Sequence, residues 1–352
     1  MSMNRRNFLG AVAASAGMGQ IPEGFAQQHA SKAKTLDLHV HLFGIGDTPS
    51  GCRMSPRITD GIAFQQLVFA LGLRKRADTI DEAYERVLAD AVATSGFTKV
   101  AILGQDAAYD RQGNPDWERT SFYIPNNYVL DVVSRHPEVM IACPSINPAR
   151  GDAIAELDRV KKKGARLFKI HPPIQGVDLM EPRFKPFFRR CADLRMIVMV
   201  HTGHEHSAPV ISKDFAAPTQ LVLALDQGCT VVACHAGSGW ETDEPDQLPQ
   251  FIDLQRRYPQ QLWGDTAVLG TAGRVRDFGR LLKADHVRDR LLHGSDYPFP
   301  VVPEAFIPQI DEATAKQVSS EANWIKRDLA LKQALGIGNA SAERAYTLVF
   351  GT

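Results

Sequence analysis

From Thr35 onward, short runs rich in aliphatic and β-branched residues return at intervals and alternate with helical stretches. The runs are TLDLHVH (35–41), TKVAILG (98–104), VMIACPS (139–145), ARLFKIH (165–171), RMIVMVH (195–201), CTVVACH (229–235), QLWGDTA (261–267) and RLLHGSD (290–296). Between them, TIDEAYERVLADAVA opens with Thr79 and Glu82 in capping-box spacing. ARGDAIAELDRVKKKG ends on three lysines and Gly164, the residues a helix C-terminus favours. Eight strands, each followed by a helix, predict one (β/α)8 TIM barrel. A doubly wound open sheet is the alternative, and it is weakened because no glycine-rich nucleotide turn follows the first run. The long connections 42–60, 105–120 and 297–320 carry Gly, Pro and polar residues and are expected to form the mouth of the barrel.

The first 34 residues read differently. NRRNFLGAVAASAGMG sets paired Arg5 and Arg6 before Phe8-Leu9 and a small-residue run, the order of a twin-arginine export signal. The expected organisation is therefore a signal peptide and leader (1–34), cleaved between Ala26 and Lys34, and a barrel domain (35–352). It implies a periplasmic or otherwise exported protein whose partner in transit is the twin-arginine machinery. No later apolar run is long enough to span a bilayer. The 40 Lys+Arg balance 40 Asp+Glu, which gives no electrostatic argument for nucleic acid or an anionic membrane. Five cysteines without CxxC spacing, most in apolar runs, are expected as buried free thiols.

Histidines collect where the strands end. His39 and His41 close the first run, His171 the fourth, His201 the fifth and His235 the sixth, with Asp296 closing the eighth. Barrel chemistry sits at the C-terminal ends of the strands. Strict alternation along LDLHVHLFG would place Asp37, His39 and His41 on one inward face and the aliphatics on the other. A lone strand-end histidine is most simply a structural residue, but an H-x-H joined by further histidines and an Asp on neighbouring strands predicts a mononuclear metal site. Three imidazoles and one carboxylate suit Zn²⁺, with Mn²⁺, Fe²⁺ or Co²⁺ as alternatives.

D-x-H-x-H, VHTG, CHAG and GSDYPFP together resemble the amidohydrolase superfamily, and most closely its amidohydrolase-related branch, which includes aminocarboxymuconate-semialdehyde decarboxylase and metal-dependent hydrolases. The likeness runs from about Thr35 to GIGNASAERAYTLVFG. It implies that His39, His41, His201 and Asp296 bind one divalent metal and that His235 lies beside it as an acid/base group, with Asp296 also accepting a proton. Lys169 stays open between a carboxylated metal bridge, a substrate or supporting contact, and a structural ion pair with a partner such as Asp37. His171 is expected to line the pocket, and Asp265 to hydrogen-bond a ligating histidine or the substrate. In HTGHEHS, His204, Glu205 and His206 are read as loop residues, with His204 a candidate substrate contact. His293 is expected as a satisfied core histidine.

The main functional reading is a hydrolase that opens an amide, lactone or related carbonyl bond of a small molecule with metal-activated water. The alternative is a metal-dependent, non-hydrolytic decarboxylase of a small carboxylic acid. GSDYPFP has the decarboxylase look, but CHAGSG lacks the Gly-Gly run that often follows the sixth-strand histidine there, and export fits degradative hydrolysis. A barrel that only binds a ligand is disfavoured by the complete ligand set. Barrels of this branch often dimerise, so a homodimer is also expected.

Overall fold

The eight runs become eight parallel strands: β1 (Leu36–His41), β2 (Lys99–Leu103), β3 (Met140–Cys143), β4 (Leu167–Ile170), β5 (Ile197–His201), β6 (Thr230–Cys234), β7 (Leu262–Asp265) and β8 (Leu291–Leu292). This is a computed structural model, which describes residues 33–75, 79–240 and 244–351. The expected signal peptide and leader lie, but for their last two residues, outside the described residues.

Strands β1–β3 form one ladder and β4–β8 another. Two parallel bridges close them into a barrel, Ser145 with Lys169 between β3 and β4, and Val40 with Tyr297 between β1 and the end of β8. At the second seam the Asp296 amide donates to the His39 carbonyl (2.9 Å) and the His41 amide to the Tyr297 carbonyl (2.8 Å). Leu36, Leu38, Leu103, Leu167, Met199, Val232 and Leu292 meet as the interior cluster, joined by Ala345 and Val349 of the last helix (Gly338–Phe350). Two further clusters fill the layer between strands and helices. The helix Ile80–Ala93 is capped as expected, the Thr79 hydroxyl accepting the Glu82 amide at 3.3 Å. Gly164 follows the helix Ala153–Lys162 at φ +97°, where a Cβ would be strained.

One expectation is overturned in β1. Leu36 and Leu38 point into the interior cluster, whereas Val40 and Leu42 pack under the helices. The register with β2 shifts between Asp37 and Val40, so a bulge reverses the alternation between the leucines and the histidines. Asp37 therefore does not share the His39 and His41 face. It lies on the seam, its Oδ1 accepting the amides of His39 (3.1 Å) and Ser295 (3.0 Å).

The segments that follow β1 and β2 are stitched by a short antiparallel ladder, Arg53–Met54 with Phe122–Tyr123, the latter just beyond the expected 105–120 connection. All five cysteines are buried and free. No helix of the described residues is long and apolar enough to cross a membrane.

Candidate metal centre

The seams and strand ends bring the expected residues to one end of the barrel. His39 and His41 come from β1, Lys169 from β4 with His171 just beyond it, and His201 from the end of β5. His235 directly follows β6, Asp265 ends β7, and Asp296 follows β8. All are buried except His41, whose side chain is 24% exposed and marks the solvent side. His235 and Asp296 both sit at φ 63°, a left-handed backbone uncommon outside glycine and sustained only where surrounding contacts hold it. Asp265 supplies such contacts, its Oδ1 accepting the amides of His235 (2.7 Å) and Ala267 (3.1 Å).

Proton positions follow from which groups can only accept or only donate. His39 Nδ1 donates to Asp265 Oδ2 at 2.7 Å, leaving Nε2 with a lone pair, which accepts from the Lys169 ammonium at 3.1 Å. Asp296 Oδ1 lies 3.1 Å from that same Nε2 and 3.0 Å from His41 Nε2. Two acceptors, the His39 lone pair and the Asp296 oxygen, thus face each other at close range, an arrangement that a cation stabilises. His235 Nδ1 donates to the Ala267 carbonyl (3.1 Å), so its Nε2 is also a free base.

Burial and then the Lys169 charge hold His39 far below the ordinary imidazole pKa, and burial pushes His235 down to about 4. Burial works against charge on Asp296, but His39, His235 and His41 outweigh it and keep the carboxyl well below its usual range. For Lys169 burial also opposes the charge, yet Cys234, Asp265 and Asp296 raise its pKa. The expected Asp37 partner is not among its contacts, because the bulge turns Asp37 toward the seam.

Among the described residues, His39, His41 and Asp296 form one group whose donor atoms lie within 4.8 Å of each other. The residues fit a divalent ion, with neutral imidazole nitrogen and carboxylate oxygen converging on one point where the Lys169 ammonium now supplies the positive charge. An ion taking His39 Nε2 has to displace the Lys169 ammonium, for which Asp265 and Asp296 offer negative charge nearby. His201 falls instead into a second group with His171 and Glu205. Its ring stands 4.8 Å from that of His235, and its Nε2 is buried without a hydrogen-bond partner.

The structure adds to the reading of three loop and core residues. His204 has both ring nitrogens engaged, its Nε2 donating to the Pro245 carbonyl (2.9 Å) and its Nδ1 accepting the Trp240 amide (3.2 Å), so that they tie loops together. His293 is buried, but neither ring nitrogen has a hydrogen-bond partner, and it stacks on Phe97 with Asp328 and Asp37 at 3.7 and 3.9 Å. Glu205, read as a solvated loop residue, has a side chain only 7% exposed, with Oε2 3.1 Å from His171 Nε2. Its available signal was the i+4 spacing from His201. Arg274 was missed altogether. It is buried and donates to the His204 carbonyl (2.7 Å) and the Ser238 hydroxyl (2.9 Å), joining the β5 and β6 loops.

Residues 36–342 match the family described as Amidohydrolase. No curated protein matches the chain. Among solved structures, an uncharacterized TIM-barrel protein from Bordetella bronchiseptica is 17% identical, with a TM-score of 0.58, covering 90% of this chain and 99% of its own. A protein described as "probable 2-pyrone-4,6-dicarboxylic acid hydrolase", from Acinetobacter baumannii with citric acid bound, is 16% identical (TM-score 0.53), covering 91% and 100%. A 5-carboxyvanillate decarboxylase from Novosphingobium aromaticivorans, with bound manganese, is 13% identical (TM-score 0.50), covering 84% and 94%. At these identities the likeness establishes the barrel fold.

Proposed function

The chain belongs to the amidohydrolase family, and from that premise we propose that it is a hydrolase of an amide, lactone or related carbonyl substrate, using one divalent ion, Zn²⁺ by preference. His39, His41 and Asp296 would hold the ion, with His201 as the further ligand the resemblance implies. The observation that carries this reading is the close approach of the His39 Nε2 lone pair to Asp296 Oδ1 (3.1 Å), with His41 Nε2 at 3.0 Å from the same oxygen.

When bound, such an ion acidifies a water and polarises a carbonyl oxygen. Asp265 fixes the tautomer of His39. Asp296, ionised and facing both β1 histidines, accepts a proton from the attacking water. His235 presents its unprotonated Nε2 to the same space, takes up that proton from Asp296, and delivers it to the departing nitrogen or oxygen. The Lys169 ammonium offers a charge partner for a substrate carboxylate. Water is added across the carbonyl bond, giving an acid and an amine or alcohol. Export, as the paired arginines imply, would have this hydrolysis take place in the periplasm or otherwise outside the cytoplasm.

The test is the zinc-loaded protein against a panel of lactones, amides and aromatic acids, read for acid release and for CO₂. Carboxylated lactones lead the panel because one barrel of this fold is described as a pyrone-dicarboxylic acid hydrolase. Acid release without CO₂ is expected. CO₂ release overturns hydrolysis in favour of decarboxylation.

A further inference from the structure

We propose that Glu205 is a positioning residue, a shared carboxylate that sets the ring tautomers of His171 and His201 so that His201 presents Nε2, as a lone pair, to the metal centre. This rests on the proposed metal-dependent reading. Glu205 is itself anchored: its Oε1 accepts the Ser207 amide and hydroxyl and the Ala208 amide (3.3 Å), which leaves Oε2 for the two imidazoles. Oε2 accepts from His171 Nε2 at 3.1 Å and faces His201 Nδ1 at 3.7 Å. The two rings stack, with centroids 4.1 Å apart and planes 22° apart, so the oxygen bonded to His171 also lies opposite the His201 Nδ1 edge, at ion-pair distance and longer than a hydrogen bond. Arg274 holds the adjoining His204 carbonyl and so fixes the loop that carries the carboxylate.

A carboxylate has only lone pairs to offer, so it draws the His201 proton to Nδ1 and frees Nε2, the atom found buried without a hydrogen-bond partner. Asp265 does the same for His39 through its Nδ1 at 2.7 Å. The pocket thus repeats one device on β1 and on β5, a carboxylate behind the ring and an unprotonated nitrogen in front, contacted on β1 by the Lys169 ammonium and on β5 by no hydrogen-bond partner. Outer carboxylates of this kind orient ligating histidines and raise their basicity, and their loss weakens metal affinity about 10–100-fold. A second cation within His171, His201 and Glu205 is the competing account. The metal stoichiometry of wild type and variant separates the two accounts.

The experiment titrates Mn²⁺ into the full-length apoprotein and its Glu205→Gln variant, with stoichiometry and affinity read by calorimetry. Long-range ¹H–¹⁵N spectra of histidine-labelled wild type are recorded alongside. One ion per chain, bound roughly 10–100-fold more weakly by Glu205→Gln at unchanged stoichiometry, is the expected result. The spectra should show His201 protonated on Nδ1 and His171 on Nε2. Equal affinity in the variant would make Glu205 a loop anchor alone and overturn the inference while leaving the metal site intact. Two ions in wild type, one of them lost in the variant, would make Glu205 a ligand and also overturn it. The opposite His201 tautomer overturns it even if the variant fails to fold. No Mn²⁺ binding by wild type removes the metal-dependent reading and the inference together.

Discussion

His235 keeps its proton on Nδ1 against the Ala267 carbonyl, and burial pushes its pKa down to about 4. The base form then persists at pH values where an ordinary imidazole would be protonated, since a lowered pKa means the proton binds only in stronger acid. The kcat/KM profile should therefore hold on its acid side until the pH approaches 4, instead of failing near the unperturbed value of about 6.5. His235→Asn should keep its metal yet lose roughly 10²–10⁴ in kcat, checked by steady-state kinetics beside elemental analysis. Lys169 has the opposite sign. Its ammonium competes with a cation for His39 Nε2, so Lys169→Met should bind Mn²⁺ at least about tenfold more tightly in a chelator competition. Weaker binding would mean that the lysine supports the ion instead. His39, His41 and Asp296 were legible because each terminates or directly follows a β-rich run, where the fold dictates position. His204 and Glu205 were not. They follow Gly203 in a loop without periodicity, and their places are set by contacts to Pro245, Trp240 and His171 far along the chain.

At the level of elements, the apolar runs marked all eight strands to within a few residues, because a strand buried on both faces needs an unbroken aliphatic stretch. β8 is the exception, shortened to Leu291–Leu292. The chain there passes Gly294, whose added Cβ would stand 2.7 Å from the His39 Cβ, and reaches Asp296 in the left-handed region. The bulge in β1 was equally invisible, because backbone register depends on the neighbouring strand and not on the hydrophobic pattern alone. Gly203 shows how tightly the β5 and β6 ends are drawn together. It adopts φ +90°, and a Cβ at this position would fall 2.0 Å from the Ser238 carbonyl oxygen. Gly203→Ala should cost about 2–4 kcal/mol, combining backbone strain with a clash against main chain. A urea unfolding midpoint unchanged from wild type would show that the loops part easily.

For the whole molecule, the barrel should survive loss of its ligands, since the cores lie in the interior and beneath the helices. His39→Ala combined with His41→Ala is expected to leave cooperative thermal unfolding in place while elemental analysis finds no bound metal. The export reading is separable: replacing Arg5 and Arg6 by lysine should retain the protein in the cytoplasm, as cell fractionation would show. The seam between β1 and the end of β8 joins the most distant parts of the barrel. His41 and Asp296 touch across 255 positions of sequence, and the same few residues carry both the closing amides and the metal donors. Folding has to close that long loop before the centre exists, so the site belongs to late events on the pathway. An ion bound there clasps the first and last strands of the barrel and should slow the unfolding rate more than it speeds refolding. Amide exchange at Asp296 and at His41 would then report the first parting of the barrel, and added metal should silence it.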